Sequence, residues 1–144
     1  MTTKADFTSD EWTLLSEAPA SAGVMVIAAE RGGSFRETKS ITQAYEVVRE
    51  LHGPSALLDE IVASKPQVEF ARFHSYEALR DHALQQLREA TALLQAKSTE
   101  QDLGYYKAFV VGLAERVAGA HTEGAEPLSE GERVSIELIE EAMS

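Results

Sequence analysis

Two stretches of this chain run a glycine-containing acidic loop directly into Ser-x-x-Glu: Glu30-Arg31-Gly32-Gly33-Ser34-Phe35-Arg36-Glu37, and Glu123-Gly124-Ala125-Glu126-Pro127-Leu128-Ser129-Glu130-Gly131-Glu132. Ser-x-x-Glu is a helix start. The serine hydroxyl accepts from the amide three residues on, and the glutamate reaches back to the serine amide, so two orphaned donors are satisfied together. Each copy follows an apolar run and opens another, which constrains the chain to helices arranged as a repeated helix-loop-helix unit.

The rest of the punctuation agrees. Thr8 and Glu11 form a further capping box, Phe7 and Trp12 are spaced as a hydrophobic staple, and Pro19 is expected to stop the first helix. The apolar stretch 22–29 reads as a buried second helix, although Val24, Met25, Val26 and Ile27 alone would fit a strand. After Ser34, the residues Ile41, Ala44, Tyr45, Val48 and Leu51 recur at helical spacing until Gly53-Pro54 ends the run. A short helix over 55–63 should bury Leu57, Leu58, Ile61 and Val62 before Pro66 closes it.

Ser75 can cap a long helix, ending near Lys97, in which Leu79, Ala83, Leu87, Ala90 and Leu94 make one stripe. Thr99 and Asp102 are spaced to restart the chain as a helix carrying Leu103, Tyr106, Val110, Leu113 and Val117, and a last helix spans 129–143. The expectation is an all-α fold of six or seven helices: one compact domain over residues 1–144, with 1–6 disordered. On the penultimate helix Gly104, Ala108, Gly112 and Gly119 fall near one face. Each glycine costs about 1 kcal/mol against alanine in a helix interior, which predicts that another helix crosses closely there.

Composition narrows the chemistry. The 144 residues include no cysteine, which excludes thiol catalysis, zinc-thiolate sites and disulfide frameworks. Lysine and arginine number 13 against 24 acids, a net charge of −11, and the bases are scattered, which disfavours nucleic acid. No signal-like start or membrane-length apolar run is present, so a cytoplasmic location without membrane association is expected. Acid concentrates late: residues 98–144 hold ten Asp or Glu and three Lys or Arg, while 65–97 hold four and five. A divalent cation or a basic protein surface is the natural partner of such a C-terminal third, and the oligomeric state, homodimer included, stays open.

No catalytic signature occurs: there is no His-Glu-x-x-His, paired Glu-x-x-His, phosphate loop, Gly-x-Ser-x-Gly elbow or dinucleotide fingerprint. His52 and His121 sit where helices end, favourable for an imidazolium, and His74 and His82 are two turns apart. The reading leans away from an enzyme and assigns no catalytic residue. A pocket near His82, Tyr105 and Tyr106, between the two long helices, is the one place where a small-molecule site is expected.

The twin loops resemble those of the tellurite-resistance TerB-like family, helical proteins whose two helix-loop-helix halves each carry an Ala-x-x-Asp-Gly type loop followed by Glu. That resemblance implies a stress-response role and cation-binding positions at Glu30 and Glu37 in the first loop and Glu123 and Glu132 in the second. Arg31 or Gly32 stands where the first loop would have Asp, and Ala125-Glu126-Pro127 is extra in the second. Hard cations take several oxygen ligands from a glycine-bent loop. Glu123, Glu126, Glu130 and Glu132 supply four carboxylates within ten residues, whereas Arg31 and Arg36 crowd the first loop. The same acids can equally serve as solvated surface and helix caps.

Overall fold

The Thr8–Glu11 box forms as its spacing requires. Glu11 Oε1 accepts from the Thr8 amide at 2.8 Å, and Thr8 Oγ1 accepts from the Glu11 amide at 3.2 Å. The rings of Phe7 and Trp12 lie 6.1 Å apart, the staple that fixes the entry of the chain. From there helix α1 runs over Ser9–Ala28, in a computed structural model that describes residues 4–28, 42–43, 45–46, 56–63, 75–120 and 130–144.

Four more helices can be traced from end to end among the described residues: α2 (Ala56–Ala63), α3 (Tyr76–Lys97), α4 (Glu100–Ala120) and α5 (Glu130–Ala142). Thr42, Gln43, Tyr45 and Glu46 are helical as well. The chain is an all-helical, compact single domain, with no strand among the described residues. Pro19 does not stop the first helix, so the segments read as two helices are a single α1; the expected third helix lies largely outside the described residues, and five helices are traced end to end among them.

An interior proline costs a helix about 3 kcal/mol, since it removes one amide and its ring crowds the carbonyl four residues back. Packing offsets this. Leu15, Ala18, Ala20, Ala22, Val24, Met25 and Val26 are all buried, and Pro19 and Gly23 with them. Residues 22–26 are buried on every side, the mark of a helix enclosed by others instead of lying on a surface. The carbonyl that Pro19 leaves without a donor belongs to Leu15, and the Tyr106 hydroxyl of α4 donates to it at 2.9 Å.

Around α1 the other helices form a shell. It packs against all four, most extensively against α3 and then α4. Ser75 caps α3, its Oγ accepting from the Ala78 amide at 3.1 Å, and the stripe Leu79, Ala83, Leu87, Ala90 and Leu94 is buried as read from the spacing. Each such leucine contributes roughly 1.5–3 kcal/mol by leaving water. Thr99 restarts the chain by accepting from the Asp102 amide at 3.1 Å, and α4 then buries Leu103, Tyr106, Phe109, Val110, Leu113 and Val117. Helix α2 buries Leu57, Leu58, Ile61 and Val62.

One polar string crosses the apolar interior between α1 and α3. Ser21 Oγ donates to Gln86 Oε1 at 2.7 Å, and Gln86 Nε2 donates to Glu17 Oε2 at 3.1 Å. Buried polar groups persist only when satisfied, so this string fixes the register of the two helices.

The expected close crossing on α4 is not made at Gly104 or Gly112, and the surroundings of Gly119 lie outside the described set. Gly104, Ala108 and Gly112 are exposed, and a Cβ built on either glycine would meet no atom within 4 Å. The small residues that are enclosed lie on α1 instead, at Ala18, Ala20, Ala22 and Gly23.

Candidate functional site

Helix α5 is the most sharply two-sided of the helices traced among the described residues. Ser135, Ile136, Ile139, Ala142 and Met143 face the core, at the i, i+1, i+4, i+7, i+8 spacing of a single stripe. The other side presents Arg133, Val134, Glu137, Glu140 and Glu141 to solvent, with Leu138 half-buried between them. Val134 is 43% exposed, the one exposed large hydrophobic side chain among the described residues. Val134, Glu137, Leu138 and Glu141 stand at i, i+3, i+4 and i+7, so two apolar and two anionic groups share one line along the helix.

The electrostatics of this face are unbalanced. Glu11 is matched by Lys97 at 2.7 Å and Asp81 by Arg80 at 3.2 Å, but Glu137, Glu140 and Glu141 have no ion pair among the described residues. No basic residue occupies the last turn of α5. Glu140 and Glu141 therefore sit where the helix macrodipole disfavours anions. The chain end is closed by other means, Ser144 Oγ donating to the Glu141 carbonyl at 2.7 Å and the Met143 amide to the Ile139 carbonyl at 3.2 Å.

The proposed cation ligands divide between two categories. Glu30, Glu37, Glu123 and Glu126 lie outside the described residues, as do both acidic loops and the histidines at 52, 74 and 121. Glu130 and Glu132 fall in the first turn of α5, with their side chains outside the described set. Among the described residues no group of three or more His, Asp or Glu is close enough to hold a metal ion.

Of the residues expected near a pocket between the long helices, one is taken up by packing. Tyr106 is fully buried against α1 and committed to Leu15, while Tyr105 and His82 are half-buried. Burial pushes the Tyr106 phenol well above its ordinary value of 10, with nearby Tyr45 adding to the shift, and burial alone does the same to Tyr45. Phenols held neutral in this way do not act as acid or base near neutral pH. An open cleft of about 280 Å³ does occur at the start of α1, lined by Phe7, Thr8, Ser9, Trp12 and Thr13. Its hydroxyls are partly spent: Thr8 caps α1, and Thr13 donates to the Ser9 carbonyl at 2.9 Å.

No described helix is long and apolar enough to cross a membrane. Comparison with protein-family models, with curated proteins and with solved structures gives no match for this chain.

Sequence reasoning located the acidic C-terminal third but not the apolar residues that share its exposed line. The signal was available: Val134 and Leu138 fall out of phase with the core stripe Ser135, Ile136, Ile139, Ala142 and Met143.

Proposed function

We propose that this chain is a non-catalytic helical interaction module of the cytoplasm that docks a basic protein partner through the exposed face of α5. One observation carries the reading. Glu137, Glu140 and Glu141 are exposed, with no ion pair among the described residues, on the same side of α5 as the exposed Val134. Carboxylates beside an apolar anchor fit a partner that offers lysine or arginine around an apolar residue, the charges setting rate and specificity and the apolar contact the residence time.

The test is binding of a basic amphipathic helical peptide to the whole chain, followed by calorimetry at low and high salt. Binding should weaken as salt rises and be lost when Glu130, Glu137, Glu140 and Glu141 become glutamine, or when Val134 becomes serine. Equal loss on changing Glu100 and Glu115 of α4 to glutamine would show that net charge alone attracts the peptide, and would sink the assignment to α5.

A second reading is favoured by the start of α5. The Ser129-x-x-Glu132 spacing of the sequence, a capping-box pattern, falls where the described part of α5 begins, at Glu130. This supports the TerB-like reading, in which the second loop holds a divalent cation through Glu123, Glu126, Glu130 and Glu132 and the chain serves a stress response. Millimolar calcium, magnesium or manganese should then raise the melting temperature, and Glu123→Gln with Glu132→Gln should remove the shift. No shift with any of the three ions counts against it.

A further inference from the structure

The break in the hydrogen-bond ladder of α1 has a cause and a repair on different helices. Pro19 carries no amide hydrogen, so the Leu15 carbonyl loses the donor that a regular α-helix gives it four residues on, and the pyrrolidine ring crowds that same oxygen. A buried carbonyl without a donor is costly. Tyr106, in the first half of α4, supplies the donor from outside the helix.

The two halves of α1 are held by different means. Before the break, residues 9–14 are exposed or half-buried and are tied at their start by the Thr8–Glu11 box, the Phe7–Trp12 staple and the Lys97–Glu11 pair. After it, residues 20 and 22–26 are buried, small or apolar, and the described side-chain hydrogen bond of this half is Ser21 to Gln86. The bond to Tyr106 stands at the junction.

We propose that Pro19 is a hinge between two separately opening halves of α1 and that Tyr106 is the latch that holds it shut. With the latch closed, the Leu15 carbonyl is satisfied and the ladder is continuous in effect. With it open, that carbonyl needs water, and admitting water means parting α1 from α4 just where the ladder is already interrupted. Residues 20–28 then open as a unit and uncover Val24, Met25 and Val26, while residues 10–16 stay docked on α3 through Glu11 and Lys97.

Amide hydrogen exchange on the full chain, read by mass spectrometry, tests the latch. Tyr106→Phe should accelerate exchange in residues 20–28 about tenfold, the scale of one lost buried hydrogen bond, and leave residues 10–16 and the α3 stripe near their original rates. In a Pro19→Ala background the new amide supplies the Leu15 carbonyl, so the same change should accelerate residues 20–28 by less than about threefold. Equal acceleration in both backgrounds, or equal acceleration of all three segments, overturns the proposal. If Tyr106→Phe alone does not fold, folding of the Pro19→Ala/Tyr106→Phe chain supports the latch, and failure of both overturns it.

Discussion

Tyr45 meets Phe109 edge to face, with ring centroids 5.1 Å apart at 84°, and its hydroxyl is buried with no hydrogen-bond partner among the described residues. The ring contact is favourable and the hydroxyl is not. Aromatic pairs of this geometry contribute roughly 0.5–1.5 kcal/mol beyond burial, whereas an unmet buried hydroxyl costs roughly 1–3 kcal/mol.

Removing only the oxygen should therefore stabilise the fold. Tyr45→Phe is expected to raise unfolding free energy by about 1 kcal/mol, seen as a higher urea midpoint with an unchanged slope. A lower midpoint would show that the hydroxyl has a partner after all.

The buried phenols also set the alkaline limit. Their folded values lie above the ordinary 10, so the neutral form is favoured by folding; the stability this contributes is complete below pH 10 and is lost as pH rises toward the folded values. Absorbance titration should show Tyr45 and Tyr106 ionising only together with loss of helix signal.

At the acid end the sign reverses. The Lys97 ammonium first, then the Thr8 amide, hold the Glu11 carboxyl below its ordinary 4.5. A lowered carboxyl stabilises the fold above its unfolded value and ceases to do so as pH falls through the folded one. Glu11→Gln should then destabilise the protein at neutral pH, and the difference should shrink as pH falls below 4.5 and vanish once the folded carboxyl is protonated. Denaturant midpoints across this pH range check this.

The α4 glycines should be replaceable with gain. Gly104 and Gly112 are exposed and have open space where a Cβ would go, so Gly104→Ala and Gly112→Ala should each stabilise by about 1 kcal/mol, additively. Thermal melts of the single and double variants measure it; destabilisation of either would mean that the face is covered in solution.

Glutamines at 140 and 141 separate stability from recognition. Relieving the unfavourable macrodipole contact should raise stability by roughly 0.3–1 kcal/mol per site, while the same changes weaken a basic partner. Loss of both properties together would place these carboxylates in the fold and not in its docking face.

How far the residues announced all this depends on how local each signal was. Caps and stripes were legible because they are local: Thr8 with Glu11, Ser75 with Ala78, Thr99 with Asp102, and the stripe from Leu79 to Leu94 all appear at their expected positions. The continuity of α1 was not, since Pro19 breaks a helix by every local rule and is tolerated only because Tyr106, 87 positions later, repairs the damage. Glycines misled for the same reason: spacing says which residues share a face, not whether a neighbour arrives. For the binding surface, charge was visible in composition, but its pairing with Val134 required knowing which side of α5 the core occupies.

The position of α1 bears on how the chain acquires its structure. Helix α1 precedes the four other helices traced among the described residues and packs against each of them, α5 included. During translation its residues 22–26 lack their main described neighbours until α3 and α4 have emerged, and the described core is not complete before α5 follows. A chain cut short ahead of α5 would leave this apolar helix partly uncovered and prone to associate with other copies of itself.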